Sequence, residues 1–129
     1  MESSLAKFNF RQNQYIGRHF DFWQNLADVD IPEAWSKVKT NVFAMHGEFD
    51  IQAISPKGAQ RIAEIVNAHG GNGDFKLIKN ADHGFVNFDS MQHNVETLGN
   101  GSYMSHARDN YSTELAKESI NWMTSKIKN

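Results

Sequence analysis

Asn41–Phe85, NVFAMHGEFDIQAISPKGAQRIAEIVNAHGGNGDFKLIKNADHGF, is the stretch whose reading decides the fold. It opens on a short apolar run, Asn41–His46, that ends in His-Gly, with Asp50 in the turn beyond. Val42, Phe43, Ala44 and Met45 follow one another without alternation, which suits a parallel strand covered on both faces. Ser55-Pro56 starts a helix, serine as N-cap and proline at the first helical position. Ala59, Ile62, Ala63 and Val66 mark its buried face, Gly70-Gly71 stops it, and Asn72-Gly73 continues the turn. Phe75–Ile78 is a second, brief strand running into a polar loop, Lys79-Asn80-Ala81-Asp82-His83-Gly84. Two parallel strands joined by a helix form a right-handed crossover, and reactive groups in such sheets gather beyond the carboxyl ends of the strands. Asp50 and His83 are therefore expected at the same sheet edge.

At these residues the chain resembles the C-terminal part of an α/β-hydrolase. In that family the last two core strands end in the acid and the base of a Ser–Asp–His triad, in that chain order. The family's acid follows a strand ending in His-Gly-x-x-Asp, which here is His46-Gly47-Glu48-Phe49-Asp50. Its base sits in a loop after the last strand that resembles Asp82-His83-Gly84-Phe85. The close match covers about a third of the chain, with compatible flanks on both sides. The resemblance implies that His83 is the general base and Asp50 the carboxylate that orients it. It also implies acyl transfer to water on an ester, thioester or peptide substrate, with no cofactor.

The departure from the family is equally plain. Its nucleophile sits in a Gly-x-Ser-x-Gly elbow upstream of the acid, and this chain contains none. Gly99-Asn100-Gly101-Ser102-Tyr103 has the wrong spacing and follows His83. The central strands and the oxyanion-hole loop are also missing. The expectation is a partial α/β-hydrolase fold, inactive alone, with the serine supplied from outside these residues.

Composition excludes several classes. The 129 residues, 40% of them apolar, suffice for one globular domain. A net charge of −2, with no basic patch interleaved with aromatics, argues against nucleic acid and anionic membranes. No run approaches transmembrane length, and the first residues lack the apolar core of a signal peptide. With no cysteine there is no disulfide framework and no thiol nucleophile. The compartment stays open.

The flanks read less firmly. Residues 2–10 are an irregular lead-in. From Arg11 to Leu26 the pattern is helical, with Tyr15, Ile16, His19, Phe22, Trp23 and Leu26 on one stripe. The resemblance places this stretch in or near a cap; an aromatic stripe is otherwise ordinary packing. Asp30-Ile31-Pro32-Glu33 starts a short helix to about Val38, with Trp35 and Val38 against the sheet. The domain reading is a helical, cap-like lead-in over 1–38 and the α/β portion over 39–129. Residues 86–112 show no period and read as a long loop. Ser112-Thr113-Glu114-Leu115 is a capped start to a final helix ending near Lys126, with Leu115, Ile120, Trp122, Met123 and Ile127 as its apolar face.

The candidate residues have plainer alternatives. His83 can be an ordinary loop histidine, and Asp50 a turn aspartate bonding its own backbone. Glu48 competes with Asp50 but stands off the acid's place in the motif. His46 reads as a packed histidine, and Asp82 as a residue that shapes the loop. His19, His93 and His106 read as surface or loop residues. Ser55, Ser90, Ser102 and Ser105 lie near the candidate loops, but none is in an elbow. His46, Glu48, Asp50 and His83 are also ligand types that zinc accepts, although Gly47 interrupts the strand and no paired-histidine spacing is present. Beside the hydrolase and the metal site stands a third reading, a small non-catalytic α/β module. Two parallel strands cannot cover their own edges, so such a module pairs with a copy of itself or borrows strands.

Overall fold

Short strands and helices alternate along the chain in a computed structural model that describes residues 8–9, 14–15 and 17–127. The chain divides into two compact units, Met1–Ala34 and Trp35–Asn129. In the first, three two-residue strands form an antiparallel meander: β1 (Phe8–Asn9), β2 (Gln14–Tyr15) and β3 (Arg18–His19). Phe8 lies opposite Tyr15, and Gln14 opposite His19. Gly17, at φ +69°, supplies the left-handed residue of the turn between β2 and β3. The helix expected over Arg11–Leu26 is thus only its second half, α1 (Phe20–Ala27). Tyr15 shares the stripe spacing for another reason. Its carbonyl accepts the Trp23 indole N–H at 2.9 Å, and the two rings meet edge to face at 5.7 Å. Ile16 and residues 10–13 lie outside the described residues. Of the lead-in expected over 2–10, only Phe8 and Asn9 are described, and they are strand. α2 (Ile31–Ser36) starts where expected, with Asp30 Oδ1 accepting from Glu33 N at 2.8 Å. It ends two residues before Val38; Trp35 and Val38 are half-buried.

In the second unit β4 (Asn41–Gly47) and β5 (Asn72–Ile78) pair in parallel, in register from Asn41 with Asn72 to Gly47 with Ile78. α3 (Lys57–Ala68) connects them and packs on both. The chain is mixed α/β, as expected. The helix starts one residue later than expected: Pro56 is its N-cap and Lys57 its first residue, and Ser55 Oγ, just outside, accepts from Lys57 N at 3.3 Å. Ala63, Ile65 and Val66 are buried. A Cβ on Gly73 would stand 2.6 Å from the Ala63 carbonyl oxygen, so glycine here sets how closely α3 approaches β5.

β5 begins three residues earlier than its apolar run, taking in Asn72-Gly73-Asp74. Side chains make up what that polar start lacks. The Asn67 amide bonds both backbone groups of Gly73, at 2.7 and 2.8 Å, and the Asn72 amide donates to Asn41 Oδ1 at 3.0 Å. Among the described residues the sheet has no third strand, so β4 and β5 each keep a free edge.

The stretch 86–112 is not an unstructured loop. It holds α4 (Met91–Gly99), capped by Ser90, and α5 (Tyr103–Ala107). Val86, Phe88 and Ala107 form a small second core, with Phe49 and Tyr103 packed against it. α6 (Thr113–Ile127) closes the chain, its start bonded by Ser112 Oγ, which accepts from Leu115 N at 3.2 Å. Its tie to the sheet is largely polar and aromatic. Trp122 stacks on Phe43 at 5.1 Å while its indole donates to Asp74, which also pairs with Lys126 at 2.8 Å. The apolar face expected for it is half open: Ile120, Met123 and Ile127 are exposed.

Candidate functional site

The loops that follow β4 and β5 are stitched together before any catalytic group is considered. Glu48 N donates to Ile78 O at 2.9 Å, Phe49 N to Ala81 O at 2.8 Å, and Asn80 N to Glu48 Oε2 at 2.9 Å. Gly47 permits this closeness, since a Cβ there would lie inside contact distance of the Ala81 and Asp82 carbonyl oxygens. The strand-end geometry thus brings Asp50 and His83 together, 33 residues apart in sequence.

Asp50 is buried, with only 4% of its side chain exposed. Its Oδ1 accepts from Gln52 N and Ala53 N, each at 2.8 Å, which leaves Oδ2 for His83 Nδ1, also at 2.8 Å. Burial by itself pushes this carboxyl up. The amide of Ala53, the His83 ring, the amide of Gln52 and the His83 charge together outweigh it and hold the group below its ordinary range. An ionised carboxylate only accepts, so the proton on the shared bond is His83 Nδ1–H, and in the neutral ring that leaves the lone pair on Nε2. About half of the His83 side chain (52%) is exposed, on a loop open to solvent. A pair of this kind can take a proton at Nε2 while Asp50 fixes the tautomer and stabilises the imidazolium.

Asp82 shapes the loop directly. Buried at 3% exposure, its Oδ1 accepts from Gly84 N and Val86 N, both at 2.9 Å, which fixes the turn that follows His83. The left-handed residues here are Asn80 (φ 56°) and Phe85 (φ 57°), so Gly84 is not needed for backbone freedom. Its role is room: a Cβ on Gly84 would stand 2.8 Å from the Tyr103 hydroxyl.

The metal alternative does not hold. Among the described residues no three His, Asp or Glu side chains gather into a set that could hold an ion. Glu48 turns to Asn80 N, Asp50 Oδ1 is taken by two amides, and His46 is buried. Of the remaining histidines, His19 is exposed at the start of α1. His93 and His106 are not loose loop residues. They pack around Phe88, ring centroids 5.4 and 4.5 Å away, and against each other at 4.9 Å. Ser55 and Ser90 bond helix starts, Ser102 bonds Asn100, and Ser105 is exposed. Among the described residues none of these serines is hydrogen-bonded to His83.

Two residues that touch the site's loops, Asn94 and Tyr103, do not stand out in the sequence. Asn94 is fully buried and its Nδ2 donates to Phe49 O at 3.1 Å. The available signal was Ser90 as a cap followed by Met91, Val95 and Leu98 at helical spacing, which marks α4 but not its inward side. In comparisons with known proteins, no family model, no curated protein and no solved structure matches the chain. No helix among the described residues is long and apolar enough to cross a membrane.

Proposed function

We propose that the chain is the acid- and base-bearing C-terminal part of an α/β-hydrolase that transfers acyl groups to water. The observation that carries this is the 2.8 Å bond from His83 Nδ1 to a buried Asp50 whose other oxygen is held by two amides, with the ring half exposed at the end of a parallel pair. In the reaction His83 Nε2 takes the hydroxyl proton of a serine contributed from outside these residues as that oxygen bonds the acyl carbon. It passes the proton to the leaving alcohol, thiol or amine as that bond breaks, and water repeats the sequence on the acyl-enzyme. Asp50 keeps its charge throughout, and no cofactor enters. The test is the polypeptide that carries these residues together with an elbow serine. His83→Ala should lower turnover of p-nitrophenyl esters by about three to four orders of magnitude. Unchanged turnover sinks the assignment.

A second reading, a non-catalytic module that pairs through its sheet, is favoured by the two-stranded sheet with both edges free. Sedimentation velocity of the 129-residue chain addresses it. Self-association that survives dilution supports edge pairing, and a compact monomer at every concentration removes it.

A further inference from the structure

The segment between Phe88 and Ser112 reaches the His83–Asp50 pair from both sides through polar groups. On the acid side, Asn94 of α4 donates to the carbonyl of Phe49, the residue before Asp50. Asn94 Oδ1 is buried without a partner, so an apolar side chain would fill this position at lower cost. What asparagine adds is the donor. On the base side, the Tyr103 hydroxyl of α5 lies over Gly84 within reach of the Asp82 carboxylate. Burial and the neighbouring Asp82 push this phenol up, so it stays protonated beside that carboxylate. Asp82, the residue before His83, in turn holds Gly84 N and Val86 N, two amides that follow it. The two helices are themselves joined: His93 of α4 meets His106 of α5 at 4.9 Å, and both rings pack on Phe88. Val86 and Phe88 of the base loop share one small core with Phe49 of the acid loop and Tyr103 and Ala107 of α5.

We infer that Asn94 and Tyr103 are positioning residues, through which α4 and α5 hold the acid loop at Phe49 and the base loop at Asp82 and so set the His83–Asp50 bond. This rests on reading His83 and Asp50 as base and acid, but its test does not need turnover. In the 129-residue chain the His83 Nδ1 proton, held by Asp50, should give a far-downfield proton resonance. Tyr103→Phe keeps the ring stack and deletes only the hydroxyl; Asn94→Leu deletes only the donor. Each should cost that resonance, by exchange with solvent, while the amide spectrum of β4 and β5 is kept. Ile65→Val, which loosens the core under α3, should leave it in place. In the unaltered chain the amides of Gly84 and Val86 should exchange with deuterium together with the α5 amide of His106, which needs no substitution to fold. A resonance unmoved in both variants, or independent exchange of the two loops and α5, overturns the positioning role alone. A wild-type chain without the resonance overturns the His83–Asp50 pair itself, and the hydrolase reading falls with it.

Discussion

α3 and α4 are both amphipathic helices, yet they are held in opposite ways. In α3 the apolar residues face in, with Ala63, Ile65 and Val66 buried against the sheet. In α4 the buried residues are Asn94 and Thr97, while Met91, Val95 and Leu98 are exposed. α3 is therefore held by apolar area removed from water. α4 is held by directed bonds: His93 N to Ser90 Oγ, Thr97 Oγ1 to Asn94 O, and Asn94 Nδ2 to Phe49 O. The first arrangement tolerates small shifts in angle and depth. The second fixes a particular carbonyl at a particular distance, which is what the loop before Asp50 requires.

The comparison breaks most visibly if truncation in α3 is harmless. Ile65→Ala removes a side chain that is 7% exposed, and should cost about 2–4 kcal/mol in urea denaturation. A loss below about 1 kcal/mol means that α3 is not carried by its core face. The loss should appear as a lower midpoint with an unchanged slope.

Acid separates the two halves next. The folded chain holds the Asp50 carboxyl below the ordinary aspartate range, so between the folded and unfolded values the unfolded chain binds more protons. The stability this group contributes is present above about pH 4 and is lost as pH falls through the lower folded value. Asp50→Asn should flatten the fall in denaturation midpoint between about pH 5 and pH 2. Some slope should remain, since the Lys126 and Trp122 hydrogen bonds lower Asp74 in the same direction. A slope identical to wild type denies the buried carboxylate its two amides and its histidine.

How much could be read from sequence follows the same division. β4 was legible because Val42–Met45 is continuously apolar, and α3 because its apolar spacing and terminal glycines agree. Asp50 and His83 were legible because strand ends put them on one edge, whatever lies between. Where polar groups face inward, periodicity misleads. The first three residues of β5 read as a turn because their pairing leans on the Asn67 and Asn41 side chains. α4 escaped because its inward side is Asn94 and Thr97, and the Arg11–Leu26 stripe misled because Tyr15 and Trp23 meet across a hairpin and a helix.

The smallest predicted effect is the sharpest discriminator. Val95 is 50% exposed and Leu98 43%, although both would be placed in a core by spacing alone. If α4 is held by its bonds, Val95→Ser and Leu98→Ser should each change stability by no more than about 0.5 kcal/mol, as for other exposed positions. Thermal melts at two chain concentrations check this and guard against the one confounding case. A loss well above that size, larger at high concentration, means that association covers the apolar side of α4, because a contact between copies adds stability only where copies meet. A large loss at every concentration means instead that α4 packs by its apolar face within one chain. Asn94 would then no longer be the residue that aims this helix at Phe49.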